Sequence, residues 1–151
     1  MPENFSVRRR VEFCETDAAG IAHFASFLCY MEQAEHAFLR HLGTSVVQKL
    51  ASQPGETEVD GHLSWPRVHV ECDYRGAARF EDELRIDVLV LQIGEKSLTY
   101  GFEFTLHEAP IASGKIVAVC CQVRPGALKS TSIPQDLRSK LEAYMRERES
   151  S

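Results

Sequence analysis

The sequence lacks the features that mark membrane proteins, exported proteins and zinc-binding domains. No apolar run approaches the roughly 20 residues that a membrane-spanning helix needs, and the start, Met1-Pro2-Glu3-Asn4, does not resemble a signal peptide. The cysteines are odd in number and form no CxxC pair, which argues against a disulfide framework and a zinc ribbon. We therefore expect a cytoplasmic protein with five reduced core cysteines: Cys14, Cys29, Cys72, Cys120 and Cys121.

Positive charge is also scarce, since the formal net charge is −5. Because phosphate backbones attract basic surfaces, this balance argues against a nucleic-acid partner. Hydrophobic residues make up 44% and charged residues 26%, which is typical of a soluble globular protein. The 151 residues contain no repeat or linker and fit a single domain over 1–151.

The first half of the chain changes its hydrophobic period once. Phe5, Val7, Val11 and Phe13 alternate with polar residues and predict a strand, in which Arg9 is the one exception on the apolar face. A stripe at steps of three and four then predicts a buried helix from about Phe24 to Leu42, ended by Gly43. Its members are Phe27, Leu28, Met31, Ala34, Phe38, Leu39 and Leu42.

The second half predicts hairpin-linked strands. Alternation over 67–74, 84–90 and 98–106, then an apolar run over 116–123, predicts three or four strands, the last a central one. The segments 94–96 and 107–110 have the composition of hairpin turns, and 134–148 has helical spacing. Residues 44–63, with Pro54-Gly55 and Asp60-Gly61, predict a short helical piece and a loop. The order indicates an α+β fold, a long helix packed on one antiparallel sheet of about five strands.

One motif, Thr16-Asp17-Ala18-Ala19-Gly20 followed by Ile21-Ala22-His23-Phe24-Ala25-Ser26-Phe27, stands where the first strand gives way to the helix. This segment resembles the hotdog-fold acyl-CoA thioesterases of the 4-hydroxybenzoyl-CoA thioesterase type and their Tol-Pal-associated relatives. The similarity continues through Val70 to Leu84, which ends in Arg79-Phe80-Glu81-Asp82-Glu83-Leu84, through the turn Gly94-Glu95-Lys96-Ser97-Leu98, and through Lys129 and Ile133-Pro134. Four motifs in the right order are more specific than one.

The resemblance implies a function and a site. Asp17 inherits the role of catalytic carboxylate, as nucleophile or general base, and Phe24 offers its backbone N–H to the thioester carbonyl at the helix N-terminus. Gly20 would let the ligand approach the chain. His23-Phe24 replaces the more usual Tyr-His or Tyr-Tyr, so His23 would be a second polar contact, or only a packing or capping residue. Asp17 could also be only a turn residue.

The resemblance also implies partners. The substrate is an acyl-CoA, and the candidates for binding its phosphates are Lys96, Arg124 and Lys129. Coenzyme A belongs to the substrate, and no further cofactor is implied. The single sheet leaves an edge to cover, so we expect a homodimer or homotetramer with the active site at the subunit interface.

Other readings of the sequence have less support. Glu32 and His36 have the spacing of metal ligands, but no third ligand is indicated, and a solvated or subunit-facing side of the helix is favoured. Glu35 is excluded as a catalytic residue, because the hotdog branch that uses a helical glutamate lacks the aspartate of this loop. A hydratase expects a different histidine motif, whereas a non-catalytic acyl-thioester-binding or interaction protein remains the alternative to hydrolysis.

Overall fold

A computed structural model describes residues 4–50 and 61–149. The elements along the chain are β1 (Phe5–Arg10), a 3-10 turn (Phe13–Glu15), α1 (Phe24–His41), β2 (Gln48–Lys49), β3 (His62–Ser64), β4 (Arg67–Tyr74), β5 (Glu83–Ile93), β6 (Ser97–Leu106), β7 (Ala109–Val119), β8 (Cys121–Arg124), β9 (Ala127–Ser130) and α2 (Gln135–Glu149). In the described part of the chain, no helix is long and apolar enough to cross a membrane.

The larger sheet has five antiparallel strands in the order β1-β5-β6-β7-β4, and α1 packs on one of its faces. Alternate residues of β5 and β6 are buried against the helix, because successive side chains of a strand point to opposite faces. These inner-face residues include Leu84, Ile86, Val88, Tyr100, Phe102 and Phe104. The predicted α+β architecture, with about five strands on a long helix, is confirmed.

The helix prediction is correct at its start and close at its end. α1 begins at Phe24 and ends at His41, and Gly43 follows with φ +84°, a left-handed conformation that favours glycine. One member of the predicted stripe is wrong, because the side chain of Leu28 is partly exposed. Glu35 is buried on this helix instead, where it pairs with Arg67.

The first strand is shorter than its alternation predicts. β1 ends at Arg10, and the chain then makes a 3-10 turn in which Phe13 is 74% exposed. β1 ends at Arg10 because that residue pairs with Glu83, where the antiparallel strand β5 begins, so the residues after Arg10 have no partner in β5. The expectation of five buried cysteines is also wrong, because Cys14 in this turn and Cys29 on α1 are exposed.

A second sheet, of four short strands in the order β2-β3-β8-β9, was not predicted. The apolar run 116–123 is not one central strand, because the chain leaves the larger sheet at Cys120 and enters the second sheet as β8. The short helical piece expected after residue 44 is absent from the described part of that segment, which forms β2 and β3. Pro54-Gly55 and Asp60 lie outside the described residues.

The strand β4 forms one edge of the larger sheet, and its apolar side chains are poorly covered. Val70 and Tyr74 lie opposite Ile116 and Ala112, so they share the inner face, yet they are 41% and 44% exposed. Val68, at an irregularity in the pairing, is also exposed. The described part of the chain therefore leaves an apolar strip beside α1.

Candidate active site

The loop from Thr16 to Ala22 is a tight turn closed by Asp17. The Asp17 carboxylate oxygen Oδ1 accepts a hydrogen bond from the Ala19 N–H at 2.8 Å, and the Asp17 N–H donates to the Ile21 carbonyl at 2.9 Å. Gly20 has φ +77°, and a Cβ added there would meet nothing within 4 Å. The space over Gly20 is therefore open, as the approach of a ligand requires.

The first turn of α1 leaves one backbone donor unused. His23 is the N-cap residue, and its Nδ1 accepts a hydrogen bond from the Ala25 N–H at 3.1 Å. The Ser26 N–H donates to the His23 carbonyl at 2.8 Å. Among the described residues, none accepts a hydrogen bond from the Phe24 N–H. That N–H carries the partial positive charge of a helix N-terminus and is available to an incoming carbonyl oxygen.

His23 is therefore first of all a capping residue. Because Nδ1 accepts the Ala25 N–H, the neutral ring carries its proton on Nε2. The imidazole stacks on the Phe24 ring with 4.5 Å between centroids. The contribution of Phe24 to the site is its backbone, since its side chain is 65% exposed.

Tyr74, which no motif of the sequence indicates, joins β4 to the start of α1. Its hydroxyl donates to the Phe24 carbonyl at 2.7 Å, and its ring contacts Phe27 edge-on. Burial raises the pKa of Tyr74 to about 12, so the hydroxyl keeps its proton and remains a donor. Only the pairing of distant segments shows this contact, since the two residues are 50 positions apart.

The three candidate phosphate-binding residues lie far from Asp17 within one chain. The Asp17 loop contacts the segment just before β5, since Ile21 bridges to Arg79 and the Ala22 N–H donates to the Ala78 carbonyl. Lys96 follows the end of β5, and a strand of 11 residues spans about 35 Å. Lys96 therefore lies at the opposite end of the sheet.

Arg124 and Lys129 belong to the same distant end as Lys96. The Cys120 N–H, at the junction of β7 and β8, donates to the Lys96 carbonyl at 2.7 Å. In the register of β8 and β9, Lys129 faces Gln122, so Arg124 and Lys129 point to the same side of the second sheet. Both are exposed, and the strand β8 that carries Arg124 begins at Cys121, beside Lys96 and away from Asp17.

The helical acids form no metal site in the described part of the chain, where no cluster of three or more His, Cys, Asp and Glu side chains could hold an ion. Glu35 is 1% exposed, and its Oε1 accepts from Arg67 Nη2 at 2.7 Å. Burial raises the pKa of Glu35, and the charge of Arg67 opposes this shift. Burial lowers the pKa of His36.

Comparison with known proteins identifies the relatives of this chain. Residues 11–141 match the model of the thioesterase-like superfamily. A 1,4-dihydroxy-2-naphthoyl-CoA hydrolase of Synechococcus sp. strain CC9902 is 31% identical over 108 residues, which are 72% of this chain and 70% of the relative.

Solved structures establish the fold. A 1,4-dihydroxy-2-naphthoyl-CoA thioesterase from Synechocystis superposes with a TM-score of 0.74 at 20% identity, over 92% of this chain and 96% of the other. A gentisyl-coenzyme A thioesterase superposes with a TM-score of 0.75 at 24% identity, over 91% and 99%. The expected hotdog fold is thereby confirmed.

Proposed function

The chain belongs to the thioesterase-like superfamily and is a thioester hydrolase, and from this premise we propose that it hydrolyses an acyl-CoA with Asp17 as its catalytic carboxylate. The observation that carries the proposal is the loop that joins Asp17 to the first turn of α1. This segment carries a half-buried carboxylate and an open space over Gly20, and it ends at the unused Phe24 N–H. A thioester needs this combination of nucleophile or base with an oxyanion donor.

The chemistry follows from these positions. The thioester carbonyl oxygen accepts the Phe24 N–H, and the helix N-terminus stabilises the negative charge that develops on it. As a general base, Asp17 takes a proton from a water that attacks the carbonyl carbon, the C–S bond breaks, and the products are the free acid and the CoA thiol, which takes up the proton. As a nucleophile, Asp17 attacks the carbonyl carbon itself, and the C–S bond breaks to give CoA and a mixed anhydride of Asp17 with the acyl group. A water then hydrolyses this anhydride, which releases the free acid and restores the Asp17 carboxylate. His23 contributes by capping the helix that presents the N–H.

We expect an aromatic or a short to medium acyl group. The relatives named above act on 1,4-dihydroxy-2-naphthoyl-CoA and gentisyl-CoA, whose acyl groups are aromatic. The exposed rings of Phe13 and Phe24 flank the loop along the chain. Phe80, which follows the Arg79 that bridges to Ile21, packs edge to face on Phe13 at 5.7 Å and is also exposed. Such surfaces favour a planar ring over a polar chain.

The active enzyme is proposed to be a homodimer or a homotetramer with the site at the subunit interface. The edge of β4 and the partly exposed side chains of Val70 and Tyr74 need a cover. Antiparallel pairing of β4 with β4 of a second copy would set the Tyr74 end of one chain beside the Arg67 end of the other. The Asp17 loop would then face Lys96, Arg124 and Lys129 of the partner subunit, which no single chain achieves.

The test of the function is hydrolysis over a panel of aromatic and aliphatic acyl-CoAs, with release of the thiol measured. The best substrate is expected to have kcat/KM of about 10⁴ M⁻¹s⁻¹ or more, and aromatic members should lead the panel. Turnover of no member would contradict the proposal and favour the acyl-thioester-binding or interaction protein. Water addition to an unsaturated acyl group without release of the thiol would indicate a hydratase.

The interface is tested by Val70→Asp. A charge buried without a partner between two subunits costs about 3 kcal/mol or more, which raises the dimer Kd more than about a hundredfold. We expect monomers in sedimentation velocity at micromolar concentration and a parallel loss of hydrolysis.

The matched control for the interface is His69→Ala, one position away on the opposite face of β4. This variant should have the oligomeric state and the hydrolytic activity of the wild type. A monomeric wild type with full activity, or a dimeric and active Val70→Asp variant, would contradict the proposed interface.

The phosphate-binding residues are tested by Lys129→Ala. Removing one cation from a partly solvated phosphate site should raise KM for acyl-CoA about fivefold to tenfold, with kcat within about twofold, since such contacts are worth about 1 kcal/mol. The effect should shrink as salt is added. Lys115→Ala is the control, because Lys115 faces Glu71 on the larger sheet; an equal rise in KM there would contradict a specific role for Lys129.

A further inference from the structure

A cluster of polar side chains lies between β1, α1 and the Asp17 loop, and it explains the one exception in the alternation of the first strand. Arg9 is on the inner face of β1, with its side chain 25% exposed. Its guanidinium pairs with Glu15 Oε2 at 2.5 Å, donates through Nε to Gln33 Oε1 at 2.8 Å, and lies 4.9 Å from the centre of the Tyr30 ring. The strand therefore turns a cation inward to meet a carboxylate.

Glu15 receives donors on both carboxylate oxygens. Oε1 accepts from the Tyr30 hydroxyl at 3.1 Å and from the Glu12 N–H at 2.8 Å, while Oε2 faces Arg9. The Glu15 side chain is only 16% exposed, and Tyr30 has no exposed surface. Burial, followed by the negative charge of Glu15, raises the pKa of Tyr30, so this hydroxyl stays protonated and donates.

The main chain of Glu15 is joined to the start of α1. The Glu15 carbonyl accepts from the His23 N–H at 2.8 Å and from the Ser26 hydroxyl at 2.9 Å. Asp17 is two residues after Glu15, and Phe24 is the residue after His23. A shift of the Glu15 backbone would therefore move the carboxylate and the Phe24 N–H relative to each other.

We propose that Glu15 is a positioning residue for the reaction, an inference that rests on the proposed function. Its carboxylate, held by Arg9 and Tyr30, fixes the distance between the Asp17 carboxylate and the Phe24 N–H without contacting the substrate. Buried ion pairs add little net stability, because both charges must lose their water. Their value here is the orientation they impose two residues before Asp17.

Glu15→Gln should lower activity without a matching loss of folded structure. Glu15→Gln keeps the size of the side chain and an acceptor for Tyr30 or the Glu12 N–H, but loses the charge that holds Arg9. We expect kcat to fall about tenfold to a hundredfold, because displacements near 1 Å are sufficient for such losses. KM should stay within about threefold and the circular dichroism spectrum should be unchanged. Tyr30→Phe, which removes only the hydroxyl, should lower kcat severalfold.

The control and the decisive comparison use two further variants. Glu83→Gln breaks the exposed Arg8–Glu83 pair on the neighbouring surface and should leave kcat unchanged. In the Asp17→Asn background, Glu15→Gln should lower the residual rate by a smaller factor than in the wild type, because the group being positioned is gone. A role in stability alone would give equal factors in both backgrounds.

Two outcomes would overturn the positioning role alone, and a third would overturn it together with the proposed function. Wild-type kcat in both Glu15→Gln and Tyr30→Phe, or equal factors in the two backgrounds, would overturn the positioning role while leaving Asp17 catalytic. Full activity of Asp17→Asn would instead remove the catalytic assignment and the positioning role together. An impaired Asp17→Asn enzyme with the expected smaller factor would support both.

Discussion

Asp17→Asn is expected to lower kcat for acyl-CoA hydrolysis by at least about a hundredfold, the lower end of what a general acid or base contributes. Asparagine retains a carbonyl oxygen that can accept the Ala19 N–H, so the turn should survive. What disappears is the negative charge, which both proposed roles require, since a neutral amide neither attacks the thioester nor takes a proton from water. Thiol release under substrate saturation measures kcat directly.

Two controls separate chemistry from folding in this experiment. Asp87→Asn changes a carboxylate of the same type on β5, where it pairs with Arg85 away from the loop, and should keep wild-type turnover. The Asp17→Asn protein should keep the wild-type melting temperature and oligomeric state, because the Asp17 side chain is not part of the core and the amide can retain the Ala19 hydrogen bond. Equal turnover by the variant and the wild type would contradict the mechanism and leave Asp17 a turn residue.

The parts of the fold that the sequence predicts are those in which one face is buried continuously. Along β6, Leu98, Tyr100, Phe102 and Phe104 alternate without interruption, and the strand forms where that pattern occurs. The helical period likewise predicts α1. Its start at Phe24 is predicted because the segment with Gly20 precedes the periodic residues and ends in the N-cap residue His23. Local pattern and tertiary burial agree in these elements.

The second sheet could not be predicted in the same way. Ile116, Ala118, Cys120 and Cys121 are all buried, and no glycine or proline marks the point at which the chain changes sheets. Burial alone does not tell which sheet a residue belongs to. The distinction depends on partners distant in sequence, since β7 pairs with β4 and β6 whereas β8 pairs with β3 and β9.

The candidate site likewise has a part that the sequence predicts and a part that depends on long-range pairing. Asp17, Gly20, His23 and Phe24 lie within eight consecutive residues, so a local motif is sufficient to group them. The positions of Lys96, Arg124 and Lys129 at the far end of the sheet depend on the length of β5 and the route of the chain, which no short motif contains. The pairing of Arg9 with Glu15 was not predicted either. The position of Arg9 on the apolar face of the strand did indicate that its charge needs a partner.

Gly114→Ala is expected to destabilise the protein by about 2 kcal/mol, within the range for overpacked cores. Gly114 lies on the inner face of β7 beneath α1, where a Cβ would overlap the sulfur of Met31 and approach its methyl group. Met31 has no exposed surface, so it cannot swing into solvent, and the helix must move or the side chain must adopt a poor rotamer. Urea denaturation followed by circular dichroism measures the change in the free energy of unfolding.

A double-mutant cycle with Met31→Ala tests the cause of that loss. Met31→Ala alone should cost about 3 kcal/mol, because it leaves a cavity between α1 and the sheet. In the double variant, the methyl group added at position 114 would occupy part of that cavity instead of colliding with sulfur, so the combined cost should fall short of the sum of the two by about 1 kcal/mol or more. Strict additivity would show that the contact between Gly114 and Met31 does not determine how closely α1 packs on the sheet. In that case the contact would not influence the position of the Phe24 N–H either.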